Sequence, residues 1–315
     1  MASQGNNSTD VIIIGGGPAG LSAALWCDDL GLNSILLEQE NFLGGQLRYI
    51  YNPIENYLGL SAANGVEMLL RFERSLGSRN FVRRIGIKAA SVNIHKMEVH
   101  LDESPHESLC GKAIILATGV RRRTLNIPGE LHFRRKGIVE SGARDKHLLA
   151  GKRVLIVGGG DAAFENAILI SEFAASVSIA FRRARPSARS AFQNAAAQRE
   201  NVRLLPETIV TRIAGDSFVE AVELTNLSGQ VRDEPVDAVL IRIGVEPNSE
   251  LVNQFLDVDG SGYVTVDQTG LTSQANVYAV GDVANRLSPT LSTAAGTAAT
   301  AVKAIFKLIQ NLNGV

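Results

Sequence analysis

The chain has 315 residues, 45% of them hydrophobic and 20% charged, so it can bury the cores of about two domains. Its formal net charge of −1 excludes partners selected by overall charge, such as nucleic acid. The first ten residues lack a secretory signal, and no apolar stretch approaches the roughly 18 residues of a membrane helix. We therefore expect a cytoplasmic protein without a membrane span.

The chain contains only two cysteines, Cys27 and Cys110, and they form no C-x-x-C motif. Isolated cysteines are usually small buried hydrophobic residues, so we interpret both as structural. Neither they nor the five histidines show metal-ligand spacing. No metal site is predicted.

Residues 11–38 predict a strand, a glycine turn, a helix and a second strand. A glycine turn of this kind lets a pyrophosphate approach the backbone, and the following helix points its N–H groups at the phosphates. Glu38 stands where an acid accepts ribose hydroxyls and repels a 2′-phosphate, which favours FAD or NAD over NADP. An ordinary tight turn is the alternative. The G-x-G-x-x-G pattern consists of Gly15, Gly17 and Gly20.

The same pattern returns after residue 153 in the G-x-G-x-x-A form. At the position corresponding to Glu38 stands Phe181, and Arg182 and Arg183 follow it. Guanidinium groups there are what a 2′-phosphate requires, so this second turn predicts NADP binding. The alternative is an arginine-rich solvated loop. The pattern residues are Gly158, Gly160 and Ala163.

The two repeats predict an α/β protein with two doubly wound, Rossmann-like, three-layer domains. The simplest partition inserts one domain into the other. Residues 1–121 and 246–315 would form the FAD-binding domain, and residues 122–245 the NAD(P)-binding domain.

Several further motifs fall in a characteristic order along the chain: GGQL at 44–47, IENYLG at 54–59, ILATG at 115–119, FRR at 181–183, IGVEPN at 243–248, NVYAVGDV at 276–283 and TAAGTAA at 293–299. With the two glycine turns, they make the chain resemble the low-molecular-weight thioredoxin reductases, which are class II pyridine nucleotide-disulfide oxidoreductases. The resemblance runs nearly from end to end. It implies FAD in the first domain, NADP(H) in the second, and a homodimer.

The motifs and the resemblance together give two sets of candidate cofactor-binding residues. The FAD set is Gly15, Gly17, Pro18, Ala19, Gly20, Glu38, Gly45, Gln46, Leu47, Tyr51, Asn56, Thr118, Gly119, Gly281, Asp282 and Thr290. The NADP set is Gly158, Gly160, Asp161, Ala162, Ala163, Arg182 and Arg183.

One departure from the family lies just before the second glycine turn. Where thioredoxin reductases carry a C-x-x-C dithiol, this chain has Ser141 and Arg144 at the cysteine positions. Serine cannot cycle between thiol and disulfide. We therefore expect no relay of electrons through an internal dithiol.

A dithiol-free relative leaves several functions open. The favoured hypothesis is an FAD enzyme passing electrons between NADPH and an external acceptor, because the chain is partly similar to thioredoxin reductase-like ferredoxin/flavodoxin NADP reductases. In those, a tyrosine at the position of Tyr51 stacks on the flavin. Three groups of arginines could form a basic face near the domain junction that suits an acidic ferredoxin or flavodoxin: Arg83 and Arg84, Arg121 to Arg123, and Arg134 and Arg135. A small-molecule acceptor is also open. The alternatives are a disulfide reductase acting directly through the flavin, on thioredoxin or a low-molecular-weight disulfide, and a non-catalytic or NADPH-independent flavoprotein.

Overall fold

The computed structural model describes residues 8–102 and 107–312. The chain divides into two compact units. Unit 1 runs up to Arg121 and resumes at Glu246, and unit 2 is the continuous segment Arg122–Val245.

Strands and helices alternate along much of the chain. Up to the first boundary they are β1 (Ser8–Ile14), α1 (Pro18–Asp29), β2 (Ser34–Glu38), a 3₁₀ helix (Gly45–Tyr49), α2 (Gly65–Leu76), β3 (Val82–Ile85), β4 (Ala89–Asn93), β5 (Glu98–Leu101), β6 (Ser108–Leu116) and β7 (Val120–Arg122). Then come β8 (Ile138–Val139), α3 (Lys146–Leu149), β9 (Arg153–Val157), α4 (Asp161–Ser171), β10 (Ser176–Ala180), α5 (Ser190–Ala197), β11 (Val202–Leu205), β12 (Thr208–Ala214), β13 (Ala221–Asn226), β14 (Val231–Pro235), β15 (Ala238–Ile241) and β16 (Val245–Pro247). The last are β17 (Val277–Ala279), a 3₁₀ helix (Gly281–Val283) and α6 (Leu291–Leu312).

Unit 1 is built on a sheet in the order β3-β2-β1-β6-β5-β4, with β17 also pairing with β6. The pairs that involve β1, β2, β3 and β17 are parallel, and β4, β5 and β6 pair antiparallel. The apolar run of β1 is buried on both faces, as expected for a parallel strand. Val11 and Ile13 pack in the core that includes α1 and α6, whereas Ile12 and Ile14 pack in the core on the opposite face.

Unit 2 contains a parallel five-stranded sheet in the order β11-β10-β9-β15-β8. Its strands carry cores on both faces, because Val154 and Ile156 face one cluster and Leu155 and Val157 the other. A separate antiparallel sheet of β12, β13 and β14 completes the unit. The predicted α/β class with parallel, Rossmann-like sheets is confirmed.

The two segments where the chain crosses between units pair with each other. β7 and β16 form a two-stranded sheet of their own, so the ends of unit 2 lie side by side. Among the described residues, no helix combines the length and apolar character that crossing a bilayer requires.

Candidate functional site

The first glycine turn connects β1 to α1, and its glycines serve different purposes. Gly15 has φ +113°, and a Cβ added there would lie 2.3 Å from the carbonyl oxygen of Ala117. An added Cβ on Gly20 would lie 1.8 Å from the carbonyl oxygen of Gly15. At Gly17, by contrast, the nearest atom to an added Cβ is Gly45 Cα at 3.9 Å. The fold itself therefore requires Gly15 and Gly20, whereas Gly17 leaves room beside the helix N-terminus for a phosphate.

Glu38 is buried at the end of β2, beside this turn. Its Oε2 accepts a hydrogen bond from the Gly16 N–H at 2.7 Å, and its Oε1 accepts one from the Glu40 N–H at 2.9 Å. Each carboxylate oxygen has two lone pairs, so both can still accept a hydrogen bond from a ribose hydroxyl. Glu38 thus holds the glycine turn in shape as well as occupying the predicted ribose position.

Two other predicted FAD segments meet the first glycine turn. The 3₁₀ helix at Gly45–Tyr49 approaches it through Gly45, and the Gly44 N–H donates to the Gly16 carbonyl oxygen at 2.9 Å. The 3₁₀ helix at Gly281–Val283 approaches the other side, where an added Cβ on Gly281 would lie 2.7 Å from Ala19 Cβ. The structure therefore brings Gly17, Ala19, Gly45 and Gly281 together at the carboxyl edge of the unit 1 sheet.

Asp282 is the one predicted FAD residue whose environment itself suggests a ligand. Its carboxylate is half-buried, and it makes no hydrogen bond or ion pair with the described residues. Burial raises the pKa of this carboxyl above its ordinary value. A desolvated acceptor of this kind is stabilised by hydroxyl donors, which are the groups that a ribityl chain offers.

The remaining FAD candidates lie around this edge with varied contacts. The Gln46 side chain donates to the Val120 carbonyl oxygen at 2.8 Å, and Leu47 is buried. The Thr118 hydroxyl donates to the Asn248 carbonyl oxygen at 2.7 Å, so the fold already uses it. Of the other four, Gly119 follows at φ +66°, Tyr51 is half-buried, and Asn56 is exposed. Thr290 directly precedes α6 and accepts from the Thr293 N–H.

The second glycine turn connects β9 to α4 in unit 2. As in the first turn, one glycine is required by the fold and another leaves room for a ligand. An added Cβ on Gly158, which has φ +144°, would lie 2.1 Å from the Arg242 carbonyl oxygen. At Gly160 the nearest atom is Ser187 Oγ at 3.8 Å. Ala163 follows Ala162 in α4 and is fully buried. Its small side chain lets the helix pack close to the sheet. Gly160 is therefore the position in this turn that leaves room for a phosphate.

The arginines after β10 fall into two groups. Arg189 donates to Asp161 through its backbone N–H and its Nε, both at 2.7 Å. Arg182, Arg183 and Arg185 are exposed, and no described residue pairs with their guanidinium groups. Asp161 thus anchors the loop through Arg189, and the other guanidinium groups remain available for a 2′-phosphate.

The segment at Ser141 and Arg144 is closed by an ion pair. Arg144 donates from Nε to Asp145 Oδ1 at 2.6 Å and from Nη2 to Asp145 Oδ2 at 2.9 Å. Asp145 Oδ2 also accepts from the N–H groups of Glu140 and Ser141 at 3.0 and 3.1 Å. Burial opposes ionisation of Asp145, but these hydrogen bonds outweigh it, and the pKa of the carboxyl is lowered. Ser141 is buried, and its Oγ accepts from the Arg144 N–H at 3.3 Å.

Two arginines, Arg122 and Arg242, meet at the end of β8. From the sequence, Arg122 was predicted only as part of a basic face for an acidic partner, and Arg242 was not predicted to have a role. Both guanidinium groups donate to the carbonyl oxygen of Glu140. One signal could have found Arg242: it is a charged residue directly after the apolar strand β15, at the carboxyl edge where ligands of parallel sheets bind.

The two cysteines lie in ordinary structural positions. Cys27 is fully buried in α1, and burial raises the pKa of its thiol to about 12. Cys110 lies within β6 and is half-buried. Both are free thiols. No group of His, Cys, Asp and Glu in residues 8–102 and 107–312 is arranged to hold a metal ion.

Comparison with known families matches residues 9–304 to the pyridine nucleotide-disulphide oxidoreductases. The chain belongs to the pyridine nucleotide-disulphide oxidoreductase family. The resemblance to the low-molecular-weight thioredoxin reductases is likewise confirmed, and proteins of that type use FAD and NADPH.

Individual relatives of this family match nearly the whole chain. A protein of Clostridium pasteurianum described as a 34.2 kDa protein in the rubredoxin operon is 32% identical, covering 90% of this chain and 92% of its own length. The thioredoxin reductase of Mycolicibacterium smegmatis is also 32% identical, covering 93% and 94%. The crystal structure of Lactococcus lactis thioredoxin reductase superposes with a TM-score of 0.84 at 28% identity, covering 96% and 99%.

Proposed function

We propose that this chain is an FAD-containing NADPH oxidoreductase that passes electrons from the flavin directly to an external acceptor, without an internal dithiol. The observation that carries the proposal is the occupation of the segment before the second glycine turn by the Arg144–Asp145 ion pair. The only cysteines of the chain, Cys27 and Cys110, lie in α1 and β6. A buried thiol with a pKa of about 12, as at Cys27, is almost entirely protonated at neutral pH and is a poor nucleophile.

Within unit 1, the chain's own groups would hold FAD by three kinds of contact. The N–H groups at Gly17 and the first turn of α1 face the pyrophosphate, since the helix N-terminus favours anions. Glu38 accepts from the adenosine ribose, and Asp282 accepts from the ribityl chain. When bound, FAD supplies a ring that accepts a hydride from NADPH and releases the electrons to a second substrate.

Within unit 2, the proposed NADPH site uses the second glycine turn and the unpaired arginines after β10. Gly160 leaves room for the pyrophosphate, and Arg182 and Arg183 bind the 2′-phosphate. Phe181 occupies the place of a ribose-binding acid, so no carboxylate there repels that phosphate. NADPH is therefore proposed as the donor in preference to NADH.

The names of the relatives favour a disulfide as the acceptor over a ferredoxin or flavodoxin. The M. smegmatis and L. lactis proteins are both thioredoxin reductases. We therefore put a disulfide substrate, either thioredoxin or a low-molecular-weight disulfide, ahead of an acidic electron-transfer protein. In this proposal the substrate disulfide meets the flavin without a relay. A non-catalytic or NADPH-independent flavoprotein remains the third candidate.

We further propose a cytoplasmic homodimer, since thioredoxin reductase-like homologues are commonly dimeric. Size-exclusion chromatography with multi-angle light scattering measures the mass of the assembly directly. A dimer has about twice the chain mass of 33.6 kDa.

An anaerobic titration of the purified flavoprotein tests the proposed function. NADPH should bleach the flavin absorbance at stoichiometric concentration, and NADH should need a much larger excess. Adding thioredoxin, a low-molecular-weight disulfide, ferredoxin, flavodoxin or a quinone should then restore the colour only with the true acceptor. Failure of both nicotinamides, with bleaching by dithionite, would contradict the proposal and favour an NADPH-independent flavoprotein.

A thiol-labelling assay tests the absence of a relay. Mass spectrometry of the NADPH-reduced protein, after thiol alkylation without denaturant, should give the same extent of labelling as the oxidised protein. An increase of two labelled thiols on reduction would contradict the proposal.

A further inference from the structure

Two arginines converge at the carboxyl edge of the unit 2 sheet. Arg242 directly follows β15, and Arg122 ends β7. Arg242 Nη2 donates to the Glu140 carbonyl oxygen at 2.5 Å, and Arg122 Nη1 donates to the same oxygen at 2.6 Å. Both positive charges are therefore held at one point, beside the end of β8.

This point lies next to the second glycine turn. An added Cβ on Gly158 would lie 3.4 Å from Arg242 Cβ, so the arginine side chain begins against the turn. The chain runs from β9 to β10 and β11 on one side and places β15 and β8 on the other. Dinucleotides lie across the crevice at such a reversal of strand order. With the 2′-phosphate of the adenosine half at Arg182, after β10, the nicotinamide half extends toward β15.

Most of the donors on these two guanidinium groups are unused. Each guanidinium has five N–H donors. Arg242 makes one other hydrogen bond, to the Ile241 carbonyl oxygen, and Arg122 has no further bond with the described part of the chain. The unused N–H groups of the two neighbouring guanidinium groups could therefore bind an anion.

The local charge balance also favours an added anion. Burial, and then the charge of Arg122, lower the pKa of Arg242 to about 10, against the opposing effect of Glu140, Asp145 and Glu165. Arg242 is still protonated at neutral pH. Glu140 and Asp145 are already paired with Arg144, so they do not neutralise Arg242 by contact.

We propose that Arg242, with Arg122 beside it, forms an anion subsite for the nicotinamide-half phosphate of the dinucleotide. The inference rests on the proposed binding of NADP(H) by unit 2. The shared chemistry is an oxyanion held by planar guanidinium donors. A carboxylate or phosphate on the electron acceptor is the other source of such an anion, and the experiment separates the two.

Calorimetric binding of two nucleotides to the full-length flavoprotein tests the subsite. NADP⁺ carries both halves, whereas adenosine 2′,5′-bisphosphate lacks the nicotinamide-half phosphate. Arg242→Gln should weaken NADP⁺ binding roughly 10- to 100-fold and leave the bisphosphate within about twofold. Arg122→Gln, at an exposed position, should weaken NADP⁺ binding about 3- to 10-fold. This second variant tests the subsite if Arg242→Gln does not fold. Arg199→Gln removes one positive charge from the end of α5 and should change neither Kd.

Three results would overturn the inference. If both variants keep their NADP⁺ affinity but show a raised KM for the electron acceptor, the two arginines bind an anionic group of the acceptor. The proposed function would then still stand. A parallel loss of bisphosphate affinity would mean that the arginines only maintain the pocket. A wild-type protein that binds neither nucleotide would contradict both the proposed NADPH site and the subsite.

Discussion

At the scale of single residues, the glycines of the first turn separate folding from ligand binding. Gly15 and Gly20 lie against backbone oxygens, so any side chain there displaces the main chain. Gly17 has φ −75°, which alanine adopts freely, and an added methyl would contact only Gly45 at 3.9 Å. The fold therefore does not require glycine at position 17, whereas a pyrophosphate in the proposed position would.

Gly17→Ala should therefore give a folded protein that retains little FAD. We expect a thermal midpoint within about 2 °C of wild-type apoprotein, because a surface change of this kind costs at most about 0.5 kcal/mol. The flavin-to-protein absorbance ratio after gel filtration should fall severalfold. Gly15→Ala is the matched comparison and should lower the apoprotein midpoint clearly, since it combines positive φ with a close contact. Full flavin retention by Gly17→Ala would contradict the proposed pyrophosphate position.

At the scale of elements, the segment between β8 and α3 is a polar turn held by hydrogen bonds to one carboxylate. Asp145 accepts four hydrogen bonds within it, two from the backbone and two from Arg144. Its folded-state pKa is lower than the ordinary aspartate value of about 3.9. The carboxylate therefore contributes stability in full above about pH 4, and this contribution is lost as pH falls through the folded-state pKa.

Asp145→Asn should reduce the free energy of unfolding at pH 7 by about 1–3 kcal/mol, because charge-assisted hydrogen bonds are replaced by weaker ones. The difference from wild type should shrink as pH falls below about 4. Thermal unfolding followed by circular dichroism from pH 7 to pH 3 measures both effects. Asp233→Asn is the control, since Asp233 makes only a 3.8 Å pair with Arg212 on an exposed strand. A constant difference at every pH would disprove the role given to the carboxylate charge.

Elements with one dominant local signal could be predicted from the sequence. Both strand–turn–helix units were predictable, because buried parallel strands are apolar runs and the turns need glycine. The antiparallel sheet of β12–β14 was not predicted. An irregularity between Val210 and Arg212 interrupts the alternation in β12 that would mark a half-buried strand.

The candidate site could be predicted only where a residue's role is set by its own strand or turn. The glycine fingerprints and Glu38 belong to that class. The contact between Arg122, Glu140 and Arg242 could not be predicted in this way, because 18 and 102 positions separate the arginines from Glu140. The pairing of β8 with β15 places Glu140 beside Arg242, and Arg122 reaches the same carbonyl oxygen from the end of β7. The second role of Glu38, as an acceptor for the glycine turn, likewise depends on tertiary contact.

At the scale of the whole molecule, the two units have separate hydrophobic cores. Two clusters belong to unit 1 and two to unit 2. Unit 2 is one continuous segment, whereas unit 1 needs both ends of the chain. Unit 2 therefore has what independent folding requires.

Residues 120–247 expressed alone should fold and bind adenosine 2′,5′-bisphosphate with the affinity of the full chain, within about threefold. Circular dichroism should show one cooperative thermal transition, as expected of a single domain of this size. The same segment with Arg182→Gln should keep that transition and lose affinity, which separates the fold from the phosphate contact. A segment that shows no cooperative transition would contradict the independence of the unit.

The pairing of β7 with β16 has a practical consequence for protein engineering. Because the inserted segment begins on β7 and ends on β16, which pair with each other, its two ends lie close together and it can be exchanged as one continuous segment. A nucleotide-binding domain with another coenzyme preference could replace it by fusion at only two junctions, one in each of these strands.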